Sequence, residues 1–199
     1  MKGVRVHLLR HGQVEGHENK RYNGQGDTPL TPLGQRQTRE LAECFTGCKL
    51  SAIYSSDLQR CRELADQLAA GHNLQPGYLS ALRELHIGDW EGRPWAELQA
   101  DYPDLWQARL EDIVNVAPPG GESVQQLADR VRPVIRTLLA AHAGEEVVIV
   151  GHGALNRVIL LDAIGASLAQ VFHIEQDYCC HNIIDYSDAD NAVVKRLNG

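Results

Sequence analysis

Val4-Arg5-Val6-His7-Leu8-Leu9-Arg10-His11-Gly12 starts as one kind of sequence and ends as another. Its first part is largely apolar and carries β-branched residues, which suits a buried parallel strand. It stops abruptly at Arg10-His11-Gly12. An open α/β sheet binds its ligands at the carboxyl ends of its strands, and here a cation, an imidazole and a glycine stand at such an end. By itself the tripeptide equally fits a strand that happens to finish in a surface arginine and histidine. The arrangement returns late in the chain. Val147-Val148-Ile149-Val150 is a second buried-strand run, followed by Gly151-His152-Gly153. Two strand-end histidines, each beside glycine, can face each other across one crevice.

Outward from these runs, strand and helix signals alternate. Arg10 to Pro29 is a long polar loop with four glycines, and loops of that length usually carry function. Thr31-Pro32 predicts a helix start, with Thr as N-cap and Pro at the first helical position. This helix runs to about Phe45, with Leu33, Thr38, Leu41 and Phe45 on or near one face. Ala52 to Ser55 reads as a short strand. Asp57 to Ala70 reads as a helix with Leu58, Cys61, Ala65 and Leu68 as its apolar stripe and Gly71 as its stop. Arg60 falls in its first turn on the polar side, where the helix dipole mildly disfavours a cation. Helical patterns interrupted by proline cover 94–111. After the break at Pro118-Pro119-Gly120-Gly121, Glu122-Ser123 opens a helix carrying Val124, Leu127, Val131, Val134, Ile135 and Leu138. A helix follows over 154–164, a strand over 181–186 and an edge strand over 192–197. The expectation is a single domain, 1–199, of α/β class. It is a three-layer α/β/α sandwich with a mostly parallel sheet and one antiparallel edge strand.

Composition narrows the function. The hydrophobic share of 43% and charged share of 23% are ordinary for a globular protein. No apolar run approaches the roughly 20 residues that span a bilayer, so no membrane partner is expected. The net charge of −7 argues against general nucleic-acid binding, which needs a basic face. Five cysteines form no CxxC pair, and no charged-then-apolar leader precedes the first strand. Free thiols and a cytoplasmic location are expected. Nine histidines occur without HExxH or paired Cys/His spacing, so no metal site and no cofactor are expected.

Six segments, in order, resemble the histidine phosphatase superfamily. They are Arg10-His11-Gly12, Asp27 to Thr31, Ser55 to Arg60, Leu82 to Gly92, Gly120 to Ser123 and Gly151-His152-Gly153. That superfamily includes cofactor-dependent phosphoglycerate mutases, fructose-2,6-bisphosphatase domains and α-ribazole phosphatases. The resemblance covers nearly the whole chain. It implies phosphoryl transfer from a small-molecule phosphomonoester through a phosphohistidine on His11. Arg10, Arg60 and His152 would hold the phosphate, and Glu84 would protonate the leaving oxygen.

These residue types suit that chemistry. A transferring phosphoryl group needs cations around its equatorial oxygens, and arginine grips phosphate bidentately while staying charged. Imidazole is a usable nucleophile near neutral pH. A carboxyl beside a bound phosphate dianion is pushed by like-charge repulsion toward its protonated form, as a general acid requires. Gly12 would let the backbone approach the ring. The chain departs from the family at two positions. Gln13 stands where glutamate is usual, and His17 stands where an asparagine contacts phosphate. Arg21, Asn23 and Gly24 align with the loop over the substrate, so His17, Asn23 and Gly24 join the candidate binding residues.

A mutase must also grip a second acid group. Here Leu85 follows Glu84 where mutases carry arginine, and Trp95 to Ala117 offers only Arg109 against five acidic residues. Hydrolysis is therefore preferred to isomerisation. The compact length and the Asp27-Thr28-Pro29-Leu30 loop look most like the α-ribazole phosphatases of the cobamide pathway. Two other classes compete. Gly151 to Asn156 approaches a dinucleotide fingerprint, with Glu175 about 20 residues on. However, Asn156 replaces the third small residue, and that reading leaves Arg10-His11-Gly12 unexplained. A catalytically dead, protein-binding member is the other; such members usually lose a core residue, and His11, Arg10, Arg60, Glu84 and His152 are all present.

Overall fold

The computed structural model describes residues 3–199, apart from the side chain of Asn19; Met1 and Lys2 lie outside the described residues. The strands are β1 (Val4–Arg10), β2 (Ala52–Ser55), β3 (Gly77–Tyr78), β4 (Glu146–Gly151), β5 (His181–Tyr186) and β6 (Ala192–Arg196). They form one sheet in the order β3-β2-β4-β1-β5-β6. β1, β2, β3 and β4 pair in parallel. The α/β class and mostly parallel sheet stand as expected, and β6 is the antiparallel-paired edge. The reversal begins one strand further in, because β5 already runs against β1.

Alternation along the central strands divides the core. Val6, Leu8, Val147 and Ile149 join one cluster with residues of α5 (Val124–Ala141) and α6 (Gly153–Ala163). Leu9, Val148, Val150 and Ile53 join another with Phe45 and with Cys61, Leu64 and Leu68 of α2 (Gln59–His72). A strand shows successive side chains to opposite faces, so two apolar faces give helices on both sides.

Helix starts are where the sequence signals place them. Thr31 caps α1 (Pro32–Glu43), its hydroxyl accepting from the Gly34 N–H at 2.9 Å. Ser123 and Gln126 form a reciprocal capping box on α5. The proline interruption falls at Tyr102, between α3 (Trp95–Asp101) and α4 (Pro103–Glu111). Two readings need correction. α2 continues through Gly71 and ends at Asn73, which takes the left-handed conformation at φ 54°. Asparagine is the other residue that tolerates this conformation at a C-cap. Leu33 is exposed, whereas Thr38, expected on the same face, is buried, and Gly34 takes the inward place beside it.

Gly34 and Gly12 explain that inner face. A Cβ on Gly12 would lie 2.4 Å from the Gly34 carbonyl oxygen, and one on Gly34 would lie 2.0 Å from that of Gln13. The chain leaving β1 presses directly onto the first turn of α1. Gly12 is thus required by the helix backbone rather than by the His11 ring. Gln13 completes the joint, its side-chain oxygen accepting from the Thr31 hydroxyl at 2.9 Å.

Candidate active site

The register of β1 on β4 sets Arg10 against Gly151. The next residues, His11 and His152, therefore emerge side by side at the carboxyl ends of adjacent parallel strands. Their ring centroids are 5.2 Å apart. Both are buried, and burial pushes both imidazoles well below the ordinary histidine range, with the Arg60 and Arg10 charges adding to it. Both rings are neutral near pH 7.

Their hydrogen bonds fix opposite tautomers. His11 Nδ1 lies 2.7 Å from the Gly12 carbonyl oxygen, which can only accept, so Nδ1 carries the hydrogen. His11 Nε2 is left with its lone pair. His152 Nδ1 accepts from Arg60 Nε at 3.3 Å, so its hydrogen sits on Nε2. One ring thus offers a nucleophile and the other a donor. Cys61 Sγ packs 3.4 Å from His152 Nε2.

Arg60 is almost wholly buried, although the helical pattern assigns it to the polar side. Its Nη1 donates to Gly26 O at 2.6 Å and its Nη2 to Gly24 O at 2.7 Å. The long loop holds the cation against the dipole of its own helix. The same loop supplies that helix with its cap, because Asp27 accepts from the Gln59 N–H at 2.7 Å. Arg10 donates to Gln176 O and lies over the Tyr178 ring at 4.1 Å.

Glu84 lies at the N-terminus of α6. It accepts from the N–H groups of Leu85 at 2.8 Å, Ala154 at 3.1 Å and Leu155 at 3.2 Å. Its support is shared, since Arg130 donates to the Arg83 and Glu84 carbonyls and pairs with Glu122.

These groups border a cavity of about 330 Å³. Six of the candidate residues, Arg10, His11, Asn23, Gly24, Arg60 and Glu84, line it. His152 stands behind Arg60, fully buried. His17 is not among the lining residues; it lies in a 3₁₀ turn (His17–Asn19), exposed and 3.0 Å from Glu18. Arg21, aligned from sequence with the loop over the substrate, lines the cavity too, and so do Arg109, Arg157, Tyr22, Trp95 and Tyr178, to which the sequence gives no place in a hydrolytic site. The spacing of Arg157, four residues after Gly153 and so on the same helical face, was an available signal. Tyr178 and Gln176 had none, since they reach Arg10 only through the fold. Five arginines and one carboxylate therefore surround one space in a chain of net charge −7.

The chain belongs to the histidine phosphatase superfamily (branch 1), whose model matches residues 6–198. Glucosyl-3-phosphoglycerate phosphatase of Mycobacterium tuberculosis is 37% identical over 163 residues, covering 78% of this chain and 73% of that protein. A probable phosphoglycerate mutase, GpmB, of Salmonella choleraesuis is 28% identical over 186 residues, covering 94% and 86%. The α-ribazole phosphatase of Shigella flexneri superposes with a TM-score of 0.90 at 26% identity, covering 98% of this chain and 96% of that one.

Proposed function

We propose that the chain is a phosphomonoesterase that needs no metal and works through a phosphohistidine on His11. The observation carrying this reading is the pair of opposite tautomers between Arg10 and Arg60. His11 Nε2 attacks phosphorus as the ester P–O bond breaks. Arg10 and Arg60 bind the equatorial oxygens while His152 holds the Arg60 guanidinium from behind, and Asn23 and Gly24 close the loop over them. Glu84 gives its proton to the leaving alcohol oxygen. The resulting carboxylate then takes a proton from water as that water attacks phosphorus. The N–P bond breaks, phosphate leaves, and His11 and Glu84 return to their first states. The cationic work is done by guanidinium groups, so hydrolysis survives chelation.

The substrate is a small phosphomonoester handled in the cytoplasm. The likeness to the Shigella enzyme supports α-ribazole 5′-phosphate, and the mycobacterial relative supports a phosphoglycerate-type leaving group. Hydrolysis is preferred to isomerisation, so 3-phosphoglycerate with a bisphosphoglycerate primer yields inorganic phosphate rather than 2-phosphoglycerate. Labelled substrate quenched without acid should leave phosphate on His11. Label on another residue, near-normal turnover by His11→Ala, or activity lost to EDTA and restored by zinc or magnesium would each overturn the reading.

A further inference from the structure

Arg10 ends β1, but the groups that hold its side chain come from the far end of the chain. Its Nη1 donates to the Gln176 carbonyl, and its guanidinium lies over the Tyr178 ring at 4.1 Å. Its Nε is buried without a partner. Two backbone bonds tie the same segment to the same strand end. The Arg10 N–H donates to Cys180 O at 3.2 Å, and the Cys179 N–H donates to His11 O at 3.1 Å. Residues 176–180 thus meet Arg10 at one guanidinium nitrogen, at its face and at its backbone.

These residues belong to no helix or strand. A loop has no ladder to fix its carbonyls, and here a buried side-chain amide does so. Gln176 is 1% exposed, with Asn156 and Asn182 wholly buried beside it. Gln176 Nε2 donates to Asn182 Oδ1 at 3.0 Å and to Glu175 O at 2.8 Å. Its Oε1 accepts from Asn182 Nδ2 at 2.9 Å, from Asn156 Nδ2 at 3.3 Å and from Cys180 Sγ at 3.3 Å. Both asparagines also donate to carbonyls of β1, Asn182 to Leu8 O at 3.1 Å and Asn156 to Leu9 O at 3.2 Å. The amide cluster therefore joins the loop to the strand backbone just before Arg10. Hydrogen bonds in such an interior are stronger than in water.

We propose that Gln176 and Tyr178 are positioning residues for Arg10. The Gln176 amide sets the loop, and the loop's carbonyl and ring hold the guanidinium. With Nη1 engaged, the Nε–Nη2 edge is left for the phosphate before substrate arrives. A cation set in advance costs no reorganisation as charge develops in the transition state. The inference rests on the phosphatase reading, which gives Arg10 the phosphate.

The test is a double-mutant cycle with the full chain, read as kcat/KM on p-nitrophenyl phosphate. Gln176→Met keeps the bulk and removes the amide. Asn182 Nδ2 and Asn156 Nδ2 then still have the Leu8 and Leu9 carbonyls, and Asn182 Oδ1 still has the Asn198 N–H at 2.8 Å. A misplaced group can cost about a hundred-fold, so Gln176→Met should lower kcat/KM by about ten- to a hundred-fold. In an Arg10→Ala background it should cost about two-fold or less, the scatter of independent sites, because no guanidinium is left to position. Equal losses in the two backgrounds, which a merely structural role predicts, would overturn the proposal. So would a loss under about two-fold with Arg10 present. Tyr178→Leu, at a half-exposed position, should show the same dependence on Arg10. Its absence there also counts against the proposal, and this variant decides the matter if Gln176→Met does not fold. If Arg10→Ala turns over too slowly to follow, the same proteins are compared by their dissociation constants for inorganic phosphate, read from the melting-temperature rise it causes. There too the loss must depend on Arg10. Hydrolysis with additive losses defeats the positioning alone; no hydrolysis by the unaltered chain defeats the phosphatase reading with it.

Discussion

At the scale of single residues, the site depends on which nitrogen holds which hydrogen. The Gly12 carbonyl and the Arg60 Nε decide this for His11 and His152. Glu84 has the most demanding role, and its contribution is separable. An alkyl alkoxide needs a proton to leave, and general acid catalysis typically contributes about 10²–10⁴-fold. A nitrophenolate leaves without much help. Glu84→Gln should therefore slow single-turnover phosphorylation on an alkyl phosphate by a factor in that range, and slow p-nitrophenyl phosphate far less. An equal loss on both would make Glu84 a positioning residue instead. His11, Arg10 and His152 were legible in sequence because each terminates or follows an apolar run. Arg60 was placed correctly in its helix and wrongly on its face, since the carbonyls that bury it come from residues 24 and 26. The expectation for His17 came from alignment to a loop, and loop length gives no direction to a side chain.

At the scale of elements, the joint between β1 and α1 sets where His11 stands. The two glycines there leave no room for a side chain. Gly34→Ala would put a Cβ at 2.0 Å from the Gln13 carbonyl, where neither partner is a flexible side-chain end. Overpacking of this kind costs about 1–3 kcal/mol, and the displaced backbone is that of residue 13, two after His11. Urea unfolding should show a stability loss in that range, and turnover should fall beyond what stability explains. A change under about 0.5 kcal/mol with normal turnover, ordinary for an uninvolved surface site, would show that the joint has slack. Caps carried by local sequence, such as Thr31 and Ser123, were legible. The cap that Asp27 supplies to α2 was not, because donor and acceptor meet only after folding.

At the scale of the whole molecule, four histidines are buried in neutral form. Burial is the largest cause at His7, His11, His152 and His181, and it takes His181 to about 4. His7 Nδ1 lies 2.9 Å from His181 Nε2, away from the cavity. Each folded-state value lies below the unfolded value of about 6.5. Between the two, the unfolded chain binds the extra proton, so stability is full above about pH 6.5 and falls as the pH drops toward 4. The ion-paired Asp57, Asp185 and Glu122, all held below the carboxylate range, extend the loss at still lower pH. Melting temperature measured from pH 7.5 down to 4.5 should decline through this window, and His181→Gln should flatten part of the decline. A flat profile would mean these rings take up protons without unfolding. The layered fold itself was legible, since periods of two and 3.6 show in the apolar residues; the inward position of the reversed strand was not, because strand order is absent from any local pattern.

The aromatic wall has an optical consequence. The chain has three tryptophans, Trp90, Trp95 and Trp106, and all three pack in one cluster around Tyr22. Tyr22 and Trp95 face the cavity directly. Of the three indoles Trp95 alone borders the cavity, while Trp90 is fully buried in the core and Trp106 packs against it, so the wavelength and intensity of the Trp95 emission read the polarity of that wall. Light from Trp95 reports what enters the cavity, and light from Trp90 reports whether the core is packed around it.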